Sequence, residues 1–412
     1  MKVAIVGLGA AGLRAAMLLE RQGVDITLFD ARSRGGGRLC TTDQGDEGGA
    51  EWIDGDHVRC LSLLEGLGLS PIPDANEPYL VAYKGERLLS AELWPEALED
   101  AGRVHEEAAA LCYDPPPAAD ATLSSFLDRH CRSERGRWWN EAQWRSDEGE
   151  DTNRIGLNGW LAGYRHYLGR PEGTMSAYRF PGANAVTDAM LARLNAKPNL
   201  SHSLARVASE SGSTLEFASG ETSGPYDALV LAIPPPCLGQ IAFEPELPPE
   251  TAAAIRRCPM GRTIKVSFEF AEPFWEDEGW HGHMFTDGPL QQTWNSSIGR
   301  RHLLSAYICG NDAESVVRSP DPIAIVRGEL LRISARARPV RAVLHDWISD
   351  PWSRGAFSYT PVNPVDRSVL AAREGSIHFA GEHTASWMGF VEGALESAER
   401  VAAEITRTGP AL

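Results

Sequence analysis

Long apolar runs are missing from these 412 residues. No stretch reaches the ~20 uninterrupted apolar residues of a membrane span, and the opening strand begins almost at Met1, which leaves no room for a leader peptide. The expectation is a cytoplasmic protein with no membrane partner. Cysteine is sparse: Cys40, Cys60, Cys112, Cys131, Cys237, Cys258 and Cys309 are odd in number and form no C-x-x-C pair. That pattern argues against both a disulfide framework and a zinc site. Positive charge is in deficit, and a net charge of −17 argues against nucleic-acid binding through the phosphate backbone. An acidic surface can steer a cationic small molecule, although solubility alone also explains it. What remains is 43% hydrophobic and 23% charged, the balance of a folded chain too long for one ordinary core.

The first thirty residues carry the densest information. Val3-Ala4-Ile5-Val6 has nothing polar to solvate it and fits a strand buried on both faces of a parallel sheet. Gly7, Gly9 and Gly12 follow at G-x-G-x-x-G spacing. The first allows a tight turn, the second lets a pyrophosphate approach the backbone, and the third lets the next helix lie close to the strand. Ala10 and Ala11 lie in this turn, and the helix that follows, carrying Leu13, Ala16, Met17 and Glu20 and stopping at Gly23, offers free N–H groups and a positive dipole end to a phosphate. A second strand, Asp25 to Phe29, ends at Asp30, placed to accept hydrogen bonds from the ribose hydroxyls of an adenosine. A carboxylate there argues against a 2′-phosphate.

Ala31-Arg32-Ser33-Arg34-Gly35-Gly36-Gly37-Arg38 comes next. Glycines followed by an arginine bring backbone amides and a guanidinium against a diphosphate already resting on the first helix. A nicotinamide fold has no need of this second clamp, so a flavin dinucleotide is favoured. Residues 30 to 41 resemble the flavin-containing amine oxidases, which write this stretch as acid-Ala-Arg-x-x-x-Gly-Gly-Arg-x-x-Thr. The resemblance places Gly49, Ala50, Glu51 and Trp52 along the flavin side of the cofactor and sets the backbone of Val207 against adenine.

Residues 58 to 69 read as an amphipathic helix, 185 to 195 as a second helix, Ser203 to Val207 as a strand, and Tyr226 to Ile233 as a buried strand halted by Pro234-Pro235-Pro236. Residues 77 to 178 break the βα rhythm with prolines 115 to 117, the Trp138-Trp139 pair, Trp144, and the polar run Ser146 to Asn153. The tryptophans suit either a core or a pocket wall.

Met260 to Phe268 alternates as a strand, and Lys265 within it would ordinarily face solvent. The resemblance reverses this reading, because Gly-x-x-x-Lys before Pro-Phe-Trp matches the family's lysine that binds through water to flavin N5. Trp347 and Phe357 match the tryptophan beside the isoalloxazine and an aromatic beside the substrate. Ala356 stands where monoamine oxidases carry the cysteine that bonds to the flavin, so non-covalent FAD is implied. Gly381 and Glu382 end a strand, and Glu382 would meet ribityl or diphosphate oxygens. Phe390, Val391 and Ala394 open the last helix, whose N-terminus would stabilise negative charge at the pyrimidine edge. Phe357 and Phe390 would form an apolar cage for an amine, or else serve as core residues.

The implied fold is α/β: a Rossmann-like FAD-binding domain assembled from discontinuous segments (1–76, 179–256 and 346–412), with a second α+β substrate-binding domain (77–178 and 257–345). The implied activity is oxidation of an amine C–N bond by hydride transfer to flavin N5, with Lys265, Phe357 and Phe390 at the reacting centre and O2 as acceptor. Three rivals stay open. An L-amino-acid oxidase needs a cation for the substrate carboxylate, with Arg179, Arg262 or Arg354 as candidates. A carotenoid- or porphyrinogen-type desaturase shares the N-terminal half of the pattern, and a flavin-binding protein without turnover would share all of it.

Overall fold

The structure, a computed structural model, describes all residues except 75–77, 114–119, 172, 211, 365 and 409–412. At its centre lies strand Lys2–Val6, paired in parallel with Asp25–Phe29 on one side and Ala228–Leu231 on the other. Pro198–Asn199 and Ile377–Phe379 complete a five-stranded sheet. Side chains alternate across it as a strand requires. Val3 and Ile5 enter a core with Leu13, Ala16 and Met17 of helix Ala10–Arg21 and Leu395, Ala402 and Ile405 of helix Val391–Thr408. Ala4 and Val6 face the opposite way, toward Val207, Leu215 and Phe217 of a four-stranded sheet. With both faces covered, the apolar run needs no polar alternation. Truncating Ile5 to alanine there would cost about 2–5 kcal/mol.

A seven-stranded sheet forms the second layer system. Its order is Arg341–Asp346, Thr263–Phe270, His302–Cys309, Gln292–Asn295, Met284–Thr286, Leu80–Tyr83 and Glu86–Leu89. All neighbours are antiparallel except Met284–Thr286 with Leu80–Tyr83. On one face Ile264, Val266 and Phe268 pack with Leu304, Ala306 and Ile308 beneath helices Gly310–Arg318 and Pro322–Ile333. The other face carries a row set by register: His345, Lys265, Tyr307, Gln292 and Phe285 stand side by side on consecutive strands. Helix Glu134–Glu148 lies over this row, with Trp139 and Ala142 against Phe285.

The helix expected over 58–69 runs Val58–Leu67 and is closed by Gly68 at φ 76°, a left-handed cap that glycine adopts without penalty. The helix expected over 185–195 begins earlier, at Ala183, and ends at Ala192. Residues 77 to 178 hold a hairpin (Leu80–Tyr83, Glu86–Leu89) and helices Pro95–Leu111, Leu123–His130, Glu134–Glu148 and Leu157–Tyr164. The prolines at 115 to 117 lie outside the described residues. Among those described, no helix is long and apolar enough to cross a membrane, and all seven cysteines are unpaired.

Candidate active site

One cavity of about 650 Å³ runs between the two sheets. Its first part is lined by Gly7, Gly9, Ala10, Ala11, Asp30, Ala31, Arg32, Gly36, Gly37 and Arg38. Gly7 adopts φ +94°, and a Cβ built on Gly12 would lie 1.9 Å from the Gly7 carbonyl oxygen, so only glycine lets the helix begin this close to the strand. Gly12 itself does not line the cavity; its role is that packing. Gly36 also has positive φ (+92°), and a Cβ there would meet the Leu39 oxygen at 2.5 Å. The turn is braced by Arg34, which donates to the carbonyl oxygens of Gly35, Gly37 and Leu39.

Asp30 accepts from Leu8 N at 2.7 Å and Arg32 N at 2.8 Å, one bond to each carboxylate oxygen. Each oxygen keeps acceptor capacity for a hydroxyl. Burial pushes the Asp30 carboxyl up, while these amides and the neighbouring arginines pull it back. The Arg32 guanidinium turns away to form a bidentate pair with Asp350 at 2.9 and 2.6 Å. Arg38 donates from Nη1 to Ala356 O and Glu382 Oε1. Among the described residues, its Nη2 and Nε meet no protein acceptor, which leaves one edge of the fork for a diphosphate.

Glu382 is spoken for inside the protein. Oε1 accepts from Arg38 and Ser358 N, and Oε2 accepts from Ser358 Oγ at 2.5 Å and Gly389 N at 3.0 Å. Four donors fill its lone pairs, and although burial acts to raise the carboxyl, Arg38, His383 and Ser358 hold it below the usual range. It therefore joins the Arg38 turn to the entrance of the last helix. Next to it, burial holds His383 down at about 4, neutral at physiological pH.

The cavity continues past Gly49, Ala50, Glu51, Trp52, Trp347, Ala356 and Gly381 to Lys265, Phe357, Phe390, Val391 and Ala394. Lys265, one of only four lysines in the chain, is 2% exposed. It donates to Glu51 Oε2 at 2.7 Å and Gly49 O at 3.1 Å. Two of its three N–H bonds are thereby placed, and the third has no protein acceptor among the described residues. Glu51 also accepts from Trp294 Nε1 at 3.0 Å and Arg179 at 3.3 Å. The solvent-facing reading of Lys265 fails because Gly49, Glu51 and the Trp294 ring close over its side chain.

Two placements refine the expected contacts. Val207 is fully buried in the core behind its strand and does not line the cavity; His202, Ser203 and Leu204, at the strand's beginning, do. The alternation of the strand turns Val207 toward Leu215 and Phe217. Phe357 and Phe390 both line the cavity, yet no ring contact joins them among the described residues. Phe357 lies nearly parallel to Tyr307, with centroids 6.3 Å apart and an interplanar angle of 8°, whereas Phe390 sits edge-on to His57 and Trp387. Tyr307 was not legible as a site residue. The signal that finds it is cross-strand register, since it stands opposite Lys265. Other unforeseen lining residues are Tyr79, Gln143, Asp147, His283, Gln292 and Trp294. Of the tryptophans left between core and pocket, Trp139 and Trp144 line the cavity, while Trp138 packs with Tyr83 and Trp94.

None of the arginines considered for a substrate carboxylate lines the cavity. Arg179 is bound to Glu51 and Asp74, and Arg262 to Glu150, Asp151 and Glu314. Arg354 lies at the surface beside Gln240.

The family model for flavin containing amine oxidoreductase matches residues 10–406. A probable flavin-containing monoamine oxidase A of Dictyostelium discoideum is 26% identical over 98% of this chain and 97% of its own. An L-amino-acid oxidase of Siganus canaliculatus is 27% identical over 98% of this chain and 85% of its own. Among solved structures, putrescine oxidase bound to putrescine superposes with a TM-score of 0.89 at 22% identity, covering 99% of each chain. Cyclohexylamine oxidase from Brevibacterium oxydans superposes with a TM-score of 0.87 at 26% identity, covering 98% of each chain. With the family model spanning nearly its whole length and the cavity built as described, this chain belongs to the flavin-containing amine oxidoreductases.

Proposed function

We propose that this amine oxidoreductase holds FAD by non-covalent contacts alone and oxidises a small-molecule amine at the far end of the same cavity, with O2 as the electron acceptor. The observation that carries the reading is continuity: one cavity joins Asp30 and Arg38 to Lys265 and Phe357. The residues fit the cofactor. The glycine turns leave no side chain between backbone and cavity, Asp30 offers acceptors for ribose, and Arg38 presents its unused edge to the diphosphate. Ala356, which offers no nucleophile, supports the non-covalent form.

When bound, FAD supplies the two-electron chemistry: a hydride equivalent leaves the amine carbon, the resulting imine hydrolyses, and O2 is reduced to H2O2. The protein's part is to orient and to exclude water. Phe357 and Tyr307 give the amine apolar walls, which favour its neutral form by desolvation. Lys265, fixed by Glu51 and Gly49, holds its remaining N–H toward the cavity and orders a water or an oxygen species there. Helix Val391–Thr408 begins at the cavity wall and adds its positive dipole end.

Segments 1–76, 179–256 and 346–412 are assigned to the FAD-binding domain, and 77–178 and 257–345 to the substrate-binding domain. Support comes from the five-stranded sheet, which draws on the first set, and the seven-stranded sheet, which draws almost wholly on the second. A carboxylate-bearing substrate is disfavoured because none of Arg179, Arg262 and Arg354 lines the cavity, and the first two are already paired with carboxylates. The unpaired cysteines support a reducing, cytoplasmic setting.

The test is anaerobic addition of amines to the purified, FAD-loaded protein. Bleaching of the oxidised flavin band by amines, with peroxide formed when air is admitted, is the expected result. No bleaching by any amine, alongside bleaching by amino acids, would overturn it.

A further inference from the structure

Helix Glu134–Glu148 turns one face to the cavity, and Trp139, Gln143 and Asp147, at i, i+4 and i+8, all line it. Asp147 is the last of these. Its Oδ2 accepts from the Tyr167 hydroxyl at 2.8 Å, and among the described residues no donor reaches Oδ1. The other carboxylates of the cavity wall are engaged: Asp30 with backbone amides, Glu51 with Lys265, Trp294 and Arg179, Asp54 with Arg170 and Ser176 N, Glu382 with its four donors. Asp147 is thus the one lining carboxylate, among the described residues, whose only protein donor is a neutral hydroxyl.

Its position adds to this. Asp147 lies in the last turn of its helix, where the unsatisfied carbonyls make a negative dipole end that favours a cation. Gly149, which closes the helix at φ 68°, abuts the site directly, since a Cβ built on it would lie 2.7 Å from Phe357 Cζ. The Asp147 carboxylate lies within electrostatic reach of Tyr307 in the aromatic wall, on a different element from Lys265. Burial pushes its carboxyl up to about 6, so it is ionised above that pH at a cost that a neighbouring cation offsets. Arg170, the guanidinium that acts on it, is already held by Asp54 and Asp56. A chain with net charge −17 also attracts multiply charged cations.

We propose that Asp147 receives the second, non-reacting ammonium group of a substrate that carries two, so that linear α,ω-diamines are preferred over monoamines of the same length. This rests on the amine-oxidation reading above and names the substrate class of that site.

The experiment compares linear α,ω-diamines with the n-alkylamines of matching length by anaerobic stopped-flow flavin reduction and by steady-state turnover. A charge-assisted hydrogen bond predicts a kcat/KM for the best diamine about 10–100-fold above that of its monoamine, expressed mainly in KM. Asp147→Asn collapses this ratio toward one. Asp147→Glu, which keeps the charge and advances it by one methylene, retains the preference and moves the optimum to a shorter diamine. If Asp147→Asn does not hold flavin, the length shift in Asp147→Glu decides. The proposal is overturned if the unaltered enzyme shows no diamine preference, if Asp147→Asn lowers both substrate classes equally, or if Asp147→Glu leaves the length optimum unmoved. Reduction by monoamines without diamine preference removes only the anchor, whereas no reduction by any amine removes the amine-oxidation reading itself.

Discussion

Lys265 Nζ lies 2.7 Å from Glu51 Oε2, and both side chains are 2% exposed. The pair bridges the seven-stranded sheet and the segment after the glycine turns, so it joins the two halves of the cavity wall. Removing one member of a buried pair strands the other charge and costs about 3–5 kcal/mol. Glu51→Gln is expected to lower stability by that amount in urea unfolding of the FAD-loaded protein. Adding Lys265→Met should recover part of the loss, because the stranded ammonium is then gone. A double variant as unstable as the sum of the single ones would show that the two residues are not coupled.

Lys265→Met alone is also a kinetic test. If Lys265 acts as proposed, a fixed ammonium at the reacting centre contributes about 10²-fold through positioning and charge. Reoxidation of the amine-reduced enzyme by O2, followed by stopped-flow absorbance, is expected to slow by about that factor. Unchanged reduction and reoxidation rates would assign Lys265 to structure only.

Ala356 leads to a simpler measurement. It is buried, lines the cavity and has no atom able to bond to a flavin ring. Acid precipitation of the yellow protein should therefore leave all of the flavin in the supernatant and a colourless pellet. Colour retained in the pellet would require a covalent link elsewhere in the chain.

The nucleotide half of the molecule was legible because its chemistry is local. A tight turn, a close helix and a ribose acceptor must follow one another along some thirty residues, so Gly7, Gly9, Gly12 and Asp30 mark themselves. The substrate half was not, because its wall is made by sheet register and by a helix from a remote segment. Tyr307 reaches the site only by standing opposite Lys265, and Asp147 only because its helix lies across that face. Nothing near Tyr307 in sequence announces the cavity, and near Asp147 the tryptophans at 139 and 144 suit a core as well as a pocket wall. At Val207 the strand was legible, and its alternation turns the side chain into the core, so that any contact with a nucleotide there falls to the backbone. Phe357 and Phe390 both reach the cavity, but the neighbour that lies parallel to Phe357, Tyr307, comes from a remote strand that local sequence does not mark.

Glu148 provides a pH-dependent test at the edge of the site. It follows Asp147 in the last turn of the same helix, where the dipole disfavours an anion, and no protein donor reaches its carboxylate among the described residues. Burial first, and the Asp147 charge second, push its carboxyl up to about 8, with Arg367 only partly opposing. In the unfolded chain a glutamate titrates at about 4.3. Between these values the folded state holds a proton that the unfolded state has lost, so stability is fully present below about pH 4 and declines as pH rises toward 8. Glu148→Gln removes that decline. It is expected to match the parent protein near pH 4 and to exceed it by about 4–5 kcal/mol near pH 8, read as a rising difference in Tm across the series. A difference that stays flat with pH would mean that the carboxyl is ionised throughout and that its neighbours solvate it better than the packing suggests.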